Sequence, residues 1–272
     1  MQANDMTVLL ETRHLERSFG AVYAAKDVNI KINAGEVLGV IGSNGAGKTT
    51  FVNMVTGYLE PSAGEILYKG RNITGKPTRE ITRLGICRSF QIPQLFPELT
   101  VIENLLIALT IAKQARLKLL RPAVDDSLRV EALKLLQRFK IDHYAEQEIQ
   151  TLAQGVRKLV DIAMATVTDP DLLFLDEPTS GVSADEKMDF MRVLITALKE
   201  TETAVLFIEH DMEIVEAFSP RCVAFYEGMI LADGPTAEVL ENDKVREFVI
   251  GGEVHRSQAQ DISEPHMQSK GA

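Results

Sequence analysis

Tryptophan is absent from this 272-residue sequence, and cysteine occurs only twice, at Cys87 and Cys222. The two cysteines lie far apart and form no C-x-x-C pair, so the sequence predicts neither a disulfide framework nor a zinc site. We expect both thiols to stay reduced, as they do in a cytoplasmic protein.

Basic residues are also scarce, with 29 Lys and Arg against 39 Asp and Glu and a formal net charge of -10. A general nucleic-acid-binding surface needs clustered basic side chains for its phosphate contacts, so this balance argues against nucleic acid as a partner. Apolar residues make up 45% of the chain, which is ordinary for a globular protein. The length suits one large α/β domain or a domain with an embedded subdomain.

Long hydrophobic runs are missing as well. The apolar stretch at residues 105–112 falls far short of the roughly 20 residues that a helix needs to cross a bilayer. Residues 1–11 include acidic side chains and no sustained apolar core, so we expect no signal peptide. Any role at a membrane therefore depends on other polypeptides.

Residues 8–41 predict short strands in an antiparallel edge sheet, because apolar and polar positions alternate there. Within them, KDVNIKI is predicted to form one strand, followed by a turn at Asn33, Ala34 and Gly35. The apolar run VLGVI then predicts a buried central strand that leads into a loop and a helix beginning near Lys48.

The middle and end of the chain predict an α/β fold with a doubly wound sheet. Residues 98–150 have helical spacing, and one face carries Leu128, Ala132, Leu135, Leu136 and Phe139. Farther on, the apolar runs LLFLD and AVLFIEH flank a helical stretch at residues 184–201, an alternation typical of parallel sheets. CVAFY and MILAD flank Glu227 and Gly228 and predict a closing hairpin.

The strongest motif is a complete G-x-x-x-x-G-K-[ST] pattern between the predicted central strand and helix. It comprises Gly42, Ser43, Asn44, Gly45, Ala46, Gly47, Lys48 and Thr49, and Thr50 follows it. Glycines let backbone N–H groups converge on phosphate oxygens, Lys48 reaches the β and γ phosphates, and the Thr49 hydroxyl is a ligand for Mg²⁺. The alternative is a chance glycine-rich turn, and average residue frequencies give the bare pattern in roughly 1% of chains this long. The position between strand and helix favours phosphate binding.

Polar side chains follow two further predicted strands. Asp176 and Glu177 end the run LLFLDE, where a parallel sheet presents groups to ligands. Asp176 is predicted to hold Mg²⁺ through water, and Glu177 to orient or deprotonate the water that attacks the γ phosphate. His210 follows AVLFIE and is predicted to hydrogen-bond the γ phosphate, although a lone histidine is more often structural. Strands that end in acids are common, so these assignments depend on the phosphate loop.

Gln91 lies in the segment CRSFQIPQLF, which is predicted to be a flexible loop. Its neutral amide is a candidate for contact with Mg²⁺ or with the attacking water, which makes it both a catalytic and a metal-binding candidate. The alternative is a glutamine on a solvated loop. Ile92, Leu95 and Phe96 are predicted to be exposed and to form a groove for a short helix of a partner, with ordinary packing as the alternative.

Taken in order, the motifs SFG, GSNGAGKTT, Gln91, LAQGV, LLFLDEPTSG and IEHD resemble the ATP-binding-cassette ATPases over residues 8–250. The stretches FQIPQLFPELTVIENLLIA and IEHDM look like the ATPase subunits of branched-chain and related hydrophobic amino-acid importers, with urea and amide importers close by. The resemblance implies a P-loop NTPase core with an antiparallel β edge subdomain and an inserted α-helical subdomain. It places the ATP-binding domain at residues 7–252, the helical insert at about 98–165, and a disordered tail at 253–272.

The same resemblance implies a head-to-tail dimer that encloses ATP and Mg²⁺ between one subunit's phosphate loop and its partner's signature loop. In it, Phe19 stacks on adenine and Gln91 couples the nucleotide to the membrane subunit. Leu152, Ala153, Gln154 and Gly155 form the signature loop that faces the partner's γ phosphate. The implied partners are transmembrane permease subunits, a second ATPase subunit and, indirectly, an external solute-binding protein, which puts the chain at the cytoplasmic face of the membrane.

The sequence departs from the family pattern in two places. The signature L-S-G-G-Q reads Leu152-Ala153-Gln154-Gly155-Val156 here, and residues 180–183 lack the usual aspartate. These departures motivate the hypothesis that the chain pairs with a paralogous ATPase, although a homodimer is the alternative. Three further functions compete with that of an importer subunit: an ATP-binding regulatory module with weak hydrolysis, a lipid or polysaccharide exporter, and a soluble cassette that acts on nucleic acid.

Overall fold

The computed structural model describes residues 7–89, 95–114 and 126–251. The strands are β1 (Val8–Phe19), β2 (Val22–Val28), β3 (Lys31–Asn33), β4 (Val37–Gly42), β5 (Ala63–Tyr68), β6 (Arg71–Asn72), β7 (Ile86–Ser89), β8 (Leu172–Asp176), β9 (Ala204–Ile208), β10 (Arg221–Tyr226) and β11 (Met229–Pro235). The helices are α1 (Lys48–Val55), α2 (Thr78–Leu84), α3 (Val101–Gln114), α4 (Asp126–Arg138), α5 (Gln154–Ala165), α6 (Lys187–Lys199), α7 (Met212–Phe218), α8 (Thr236–Glu241) and α9 (Asp243–Val245).

An antiparallel sheet gathers the early strands, as the alternation of residues 8–41 predicts. Its order is β2-β1-β5-β6, with β3 also paired to β1. β1 pairs with β3 between Val8 and Glu11 and with β2 between Leu15 and Phe19, and its register with β2 shifts between Leu15 and Arg17. A register shift of this kind bends a strand and increases its twist.

KDVNIKI contributes to two strands, so the prediction of a single strand was wrong. β2 ends at Val28 and β3 begins at Lys31. Between them the Asn29 side chain accepts from the His14 N–H at 2.8 Å and donates to the Asp27 carbonyl at 2.9 Å, and Asp27 adopts a φ of 52°. Short polar side chains that bond nearby backbone compete with strand pairing, and here they turn the chain.

The second sheet has the order β11-β10-β4-β9-β8-β7 and is parallel except for the β10–β11 pair. All six residues of β4 are buried, as the VLGVI run predicts for a central strand covered on both faces. The predicted hairpin around Glu227 and Gly228 is present, and both residues have the positive φ that a tight turn between β10 and β11 needs.

The central sheet separates two apolar cores. Alternate residues of β4 point to opposite faces, so Leu38 and Val40 join the core beneath the antiparallel sheet and α1, while Val37 and Ile41 join the core beneath the other helices. Phe51 of α1 is fully buried in the first core. The helix that carries the phosphate motif is therefore fixed against the sheet by its apolar face.

Helices α3, α4 and α5 lie between β7 and β8 along the chain. The predicted apolar face of α4 is confirmed, because Ala132, Leu135, Leu136 and Phe139 are buried and Leu128 is packed against them. The limits of the helical insert and of the domain remain predictions, and the predicted tail at 253–272 lies outside the described residues. Among the described residues, no helix combines the length and the apolar character needed to span a bilayer.

Candidate functional site

Three parallel strands end side by side at one edge of the central sheet. β9 lies between β4 and β8, so the loop after β4, Glu177 after β8 and His210 after β9 meet at the same carboxyl edge. Groups at such an edge are positioned by strands that are themselves rigidly packed. The fold therefore converts three separated sequence motifs into one site.

The phosphate loop depends on glycine where the backbone passes closest to other elements. Gly47 has a φ of 103°, and a Cβ on it would lie 2.4 Å from the Ala24 carbonyl oxygen of β2. A residue with a Cβ would clash with that oxygen and would be strained at that φ, so the position requires glycine. Lys48 directly follows as the first residue of α1, so main-chain N–H groups of the first helical turn face the loop.

The side chain of Lys48, at the start of α1, folds back onto the phosphate loop. Its Nζ donates to the main-chain oxygens of Gly42 and of Ser43, the second at 3.1 Å, and the residue is 7% exposed. A cavity of about 270 Å³ opens beside it, lined by Asn44, Gly45, Ala46, Gly47, Lys48, Thr49, Thr50, Asp176, Glu177, Ile208 and His210. Main-chain donors, a lysine ammonium and hydroxyls on one side of a small cavity fit a phosphate chain.

The two predicted catalytic side chains after β8 and β9 contact each other. The Nε2 atom of His210 lies 3.1 Å from Oε1 of Glu177, and both side chains are about three-tenths exposed toward the cavity. Glu177 has a φ of 48°, which is uncommon for a residue with a Cβ, and its N–H donates to the Ile208 carbonyl at 3.0 Å. This backbone conformation brings the carboxylate to the imidazole.

A further residue of the site was missed from the sequence. Arg88 on β7 donates from Nη2 to Oδ2 of Asp176 at 2.8 Å and from Nη1 to Oδ1 of Asn53 at 2.5 Å. The paired side chains of Arg88 and Asp176 are only 11% and 13% exposed. The only signal in the sequence was a charged residue inside the short apolar stretch ICRS, directly before the predicted loop. Because Asn53 belongs to α1, Arg88 joins the phosphate-loop helix to the acidic end of β8.

Thr49 and Asp176 line the same cavity, which suits the predicted magnesium site. Hydroxyl and carboxylate oxygens, directly or through water, are ligands that Mg²⁺ prefers in proteins. In the described part of the chain, no group of three His, Cys, Asp or Glu side chains converges as a metal cage. The Thr49 hydroxyl and the Asp176 carboxylate are the residues here that fit such an ion.

Phe19 and the signature residues lie away from this cavity. Phe19 ends β1 at the hairpin to β2, is 51% exposed, and has the Arg17 guanidinium 4.7 Å from its ring centroid. Leu152 is buried, Ala153 is extended, and α5 begins at Gln154. The structure thus brings the phosphate loop, Asp176, Glu177 and His210 together within one chain, and the signature residues do not line their cavity.

The predicted partner groove is described only in part. Gln91 and Ile92 lie outside the described residues. Leu95 packs against the helical core and is half-buried, so the prediction that it is exposed was wrong. Phe96 is 50% exposed, and the buried Asn104 of α3 bonds both its N–H, at 2.8 Å, and its carbonyl, at 3.2 Å. One apolar side chain is thus held outward at the predicted docking surface.

Comparison with known proteins agrees with this geometry. Residues 25–180 match the family model described as ABC transporter. The chain is 35% identical over 250 residues to a probable branched-chain amino acid transport ATP-binding protein LivG of Archaeoglobus fulgidus, covering 90% of this chain and 96% of that protein. It is 34% identical over 253 residues to the high-affinity branched-chain amino acid transport ATP-binding protein LivG of Escherichia coli, with 89% and 98% covered.

Solved structures give the same answer. An ATP-binding cassette of an ABC transporter in its ADP conformation superimposes with a TM-score of 0.79 at 32% identity, covering 89% of this chain and 98% of that one. CbiO1 of Clostridium perfringens, part of an ABC transporter complex, gives 0.76 at 28% identity, with 92% and 99% covered. The family match over more than half of the chain and the relatives above 30% identity lead to one conclusion: the chain belongs to the ABC transporter family and is an ATP-binding, ATP-hydrolysing subunit of such a transporter.

Proposed function

We propose that the chain hydrolyses MgATP between two cassettes and thereby drives permease subunits that import branched-chain or other hydrophobic amino acids. The observation that carries the proposal is the Glu177–His210 pair, at 3.1 Å, on the wall of the phosphate cavity. The substrate class is supported by relatives in bacteria and archaea whose names describe branched-chain amino acid transport.

Nucleotide binding begins with the loop's main chain. The N–H groups of residues 44–49 and the Lys48 ammonium grip the phosphates, and Lys48 exchanges the carbonyls of Gly42 and Ser43 for β and γ oxygens. Thr49 and Asp176 would hold Mg²⁺, with Gln91 as the third candidate. When bound, the ion neutralises charge that develops on the phosphate oxygens.

Hydrolysis then depends on Glu177. Its carboxylate orients the attacking water in line with the γ phosphate and receives the water's proton. The bond from His210 Nε2 keeps the carboxylate in the cavity and brings the imidazole within reach of the γ phosphate. The ring of Phe19, which is 51% exposed and has the Arg17 guanidinium 4.7 Å from its centroid, is the candidate surface for stacking on adenine.

A second cassette completes the site. The start of α5 at Gln154 and Gly155 offers main-chain N–H groups to the partner's γ phosphate, as the family resemblance implies. Two copies of this chain are the simplest pair, and a paralogous ATPase is the alternative that Gln154 and Val156 motivate. The closed pair lies at the cytoplasmic face of the membrane and docks on permease subunits near Phe96. An external solute-binding protein is an indirect partner.

Phosphate release at saturating MgATP tests the proposed chemistry. We expect Glu177→Gln to bind nucleotide like the wild type and to release phosphate about 1000-fold more slowly, because the proton acceptor is lost. The matched control is Glu216→Gln on the exposed face of α7, which should keep wild-type turnover. Equal turnover of wild type and Glu177→Gln would instead favour an ATP-binding regulatory module.

Sedimentation of the Glu177→Gln variant with MgATP tests the pairing. A dimer formed by this chain alone supports two identical cassettes, since blocked hydrolysis leaves the closed state trapped. A monomer under the same conditions, with nucleotide bound, supports a paralogous partner.

Uptake of radiolabelled leucine by vesicles that carry the chain with its permeases tests the substrate class.

A further inference from the structure

A buried lysine connects the signature helix to the acidic end of β8. Lys158 lies in the second turn of α5, is 4% exposed, and donates from Nζ to the main-chain oxygen of Glu177 at 2.9 Å. Burial lowers the pKa of the Lys158 ammonium, and the carboxylates of Glu209, Glu177 and Asp161 act in the opposite direction. Lysine is almost never fully buried unless it is paired, so this contact is a specific feature of the site.

The oxygen that Lys158 holds belongs to a strained residue. Glu177 has a φ of 48°, its N–H donates to the Ile208 carbonyl at 3.0 Å, and its own carbonyl accepts from Lys158 and from the Ser180 N–H at 3.1 Å. A non-glycine residue stays in the left-handed region only where its surroundings hold it. Lys158 is the side chain that holds Glu177 from the side of α5.

The first turn of α5 packs on the loop that follows Glu177. A Cβ on Gly181 would lie 2.1 Å from the Gln154 side chain, and one on Gly155 would lie 3.8 Å from the Val182 methyl groups. The first turn of the helix therefore rests on residues 181–182, and its second turn holds the oxygen of Glu177. Any displacement of α5 changes both contacts together.

We propose that Lys158 is a positioning residue for Glu177, through which the signature helix controls the placement of the carboxylate that activates water. The inference rests on the proposed function, in which the start of α5 faces the partner's nucleotide while Glu177 acts on the chain's own. Lys158 thus gives a physical path by which nucleotide bound in one composite site sets hydrolysis in the other.

The test compares Lys158→Met, Lys158→Arg and the surface control Lys134→Met on α4 in the full chain. Methionine matches the lysine side chain as far as Cε and removes the donor, while Ser180 still bonds the Glu177 oxygen. We expect Lys158→Met to lower kcat about 10-fold and Lys158→Arg about threefold, each with KM and the affinity for fluorescent MgATP unchanged. Lys134→Met should match the wild type in all three quantities.

A double-mutant comparison makes the assignment specific. If Lys158 acts through Glu177, Lys158→Met lowers the residual turnover of Glu177→Gln by less than twofold, since the group being positioned is already lost. Undiminished kcat in a folded Lys158→Met variant, a parallel loss of nucleotide affinity, or a full 10-fold loss in the Glu177→Gln background overturns the proposal. If the methionine variant fails to fold by its melting temperature, Lys158→Arg decides, and wild-type kcat in that variant overturns it.

The failure of this inference is distinguishable from failure of the proposed function. Wild-type hydrolysis that Glu177→Gln abolishes leaves the proposed function standing whatever Lys158 does. Wild-type hydrolysis that is insensitive to Glu177→Gln removes the proposed function, and the role of Lys158 with it.

Discussion

The phosphate loop and the signature segment each precede a helix, α1 or α5, and each offers main-chain N–H groups at a helix start. They differ in what the rest of the chain supplies around them. Asp176, Glu177 and His210 converge on the phosphate loop, whereas the start of α5 contacts Gly181 and Val182. One region gathers its site residues within a single chain, and in the proposed function the other is a half-site that a second chain completes.

This difference predicts which substitutions affect the isolated chain and which affect only the pair of chains. A substitution in the phosphate-loop region should weaken nucleotide binding or stability in the isolated chain. A substitution at the start of α5 should leave the isolated chain intact and affect only steps that need two chains. Four substitutions test this division, taken from the largest expected effect to the smallest.

Lys48→Ala tests the first region most directly. We expect the affinity of the isolated chain for MgATP to fall about 1000-fold, because two charge-assisted contacts to phosphate oxygens, each worth about 2 kcal/mol, are lost. Titration with a fluorescent ATP analogue measures this. Lys76→Ala on the surface, where Lys76 pairs with Glu80, is the control and should bind normally. Saturable binding by Lys48→Ala at wild-type affinity would remove the basis of the phosphate site.

Arg88→Gln tests whether the first region is prebuilt by bonds within the chain. The variant leaves the carboxylate of Asp176, 13% exposed, without its ion pair, and we expect the free energy of unfolding to fall by about 3 kcal/mol. Urea denaturation measures this. The double variant with Asp176→Asn should recover part of the loss, because both charges are then absent. An unchanged urea midpoint for Arg88→Gln would mean that the ion pair does not hold the site.

Gly155→Asp tests the second region. A carboxylate at the start of α5 favours the helix itself but opposes the partner's γ phosphate, so we expect turnover to fall about 100-fold with nucleotide binding unchanged. Gly155→Ala is the matched control, because its Cβ meets nothing closer than 3.8 Å and should leave the fold intact. Phosphate release and fluorescent-nucleotide titration separate the two effects. A loss of nucleotide affinity in the isolated Gly155→Asp chain would contradict the division between the regions.

Phe19→Ala should give the smallest effect. The ring is 51% exposed and lies outside the phosphate cavity, so we expect about a 10-fold loss of affinity from lost base stacking. The loss should be equal for ADP and ATP, since no phosphate contact changes. The Val22→Ala variant, in the same hairpin and also exposed, is the control and should bind normally. An effect confined to ATP would place Phe19 near the phosphates instead of adenine.

The pattern of apolar residues was sufficient to predict those strands and helices whose own sequence shows which faces are buried. VLGVI predicted β4 because a strand buried on both faces is apolar throughout, and the spacing of Ala132, Leu136 and Phe139 predicted the buried face of α4. The break between β2 and β3 was missed because it depends on Asn29 bonding to His14, 15 residues earlier. Alternation reports which residues face inward and carries no information on such cross-strand bonds.

For the site, the sequence alone determined the phosphate loop and the acidic strand end, because their chemistry requires particular residue types at fixed spacing. Only the tertiary structure decided that Arg88 pairs with Asp176 and that Lys158 holds Glu177. Those partners are 88 and 19 residues apart in the chain. The physical reason is that a motif reflects the local chain, whereas the contacts that orient its side chains come from whichever elements the sheet order and helix packing bring alongside.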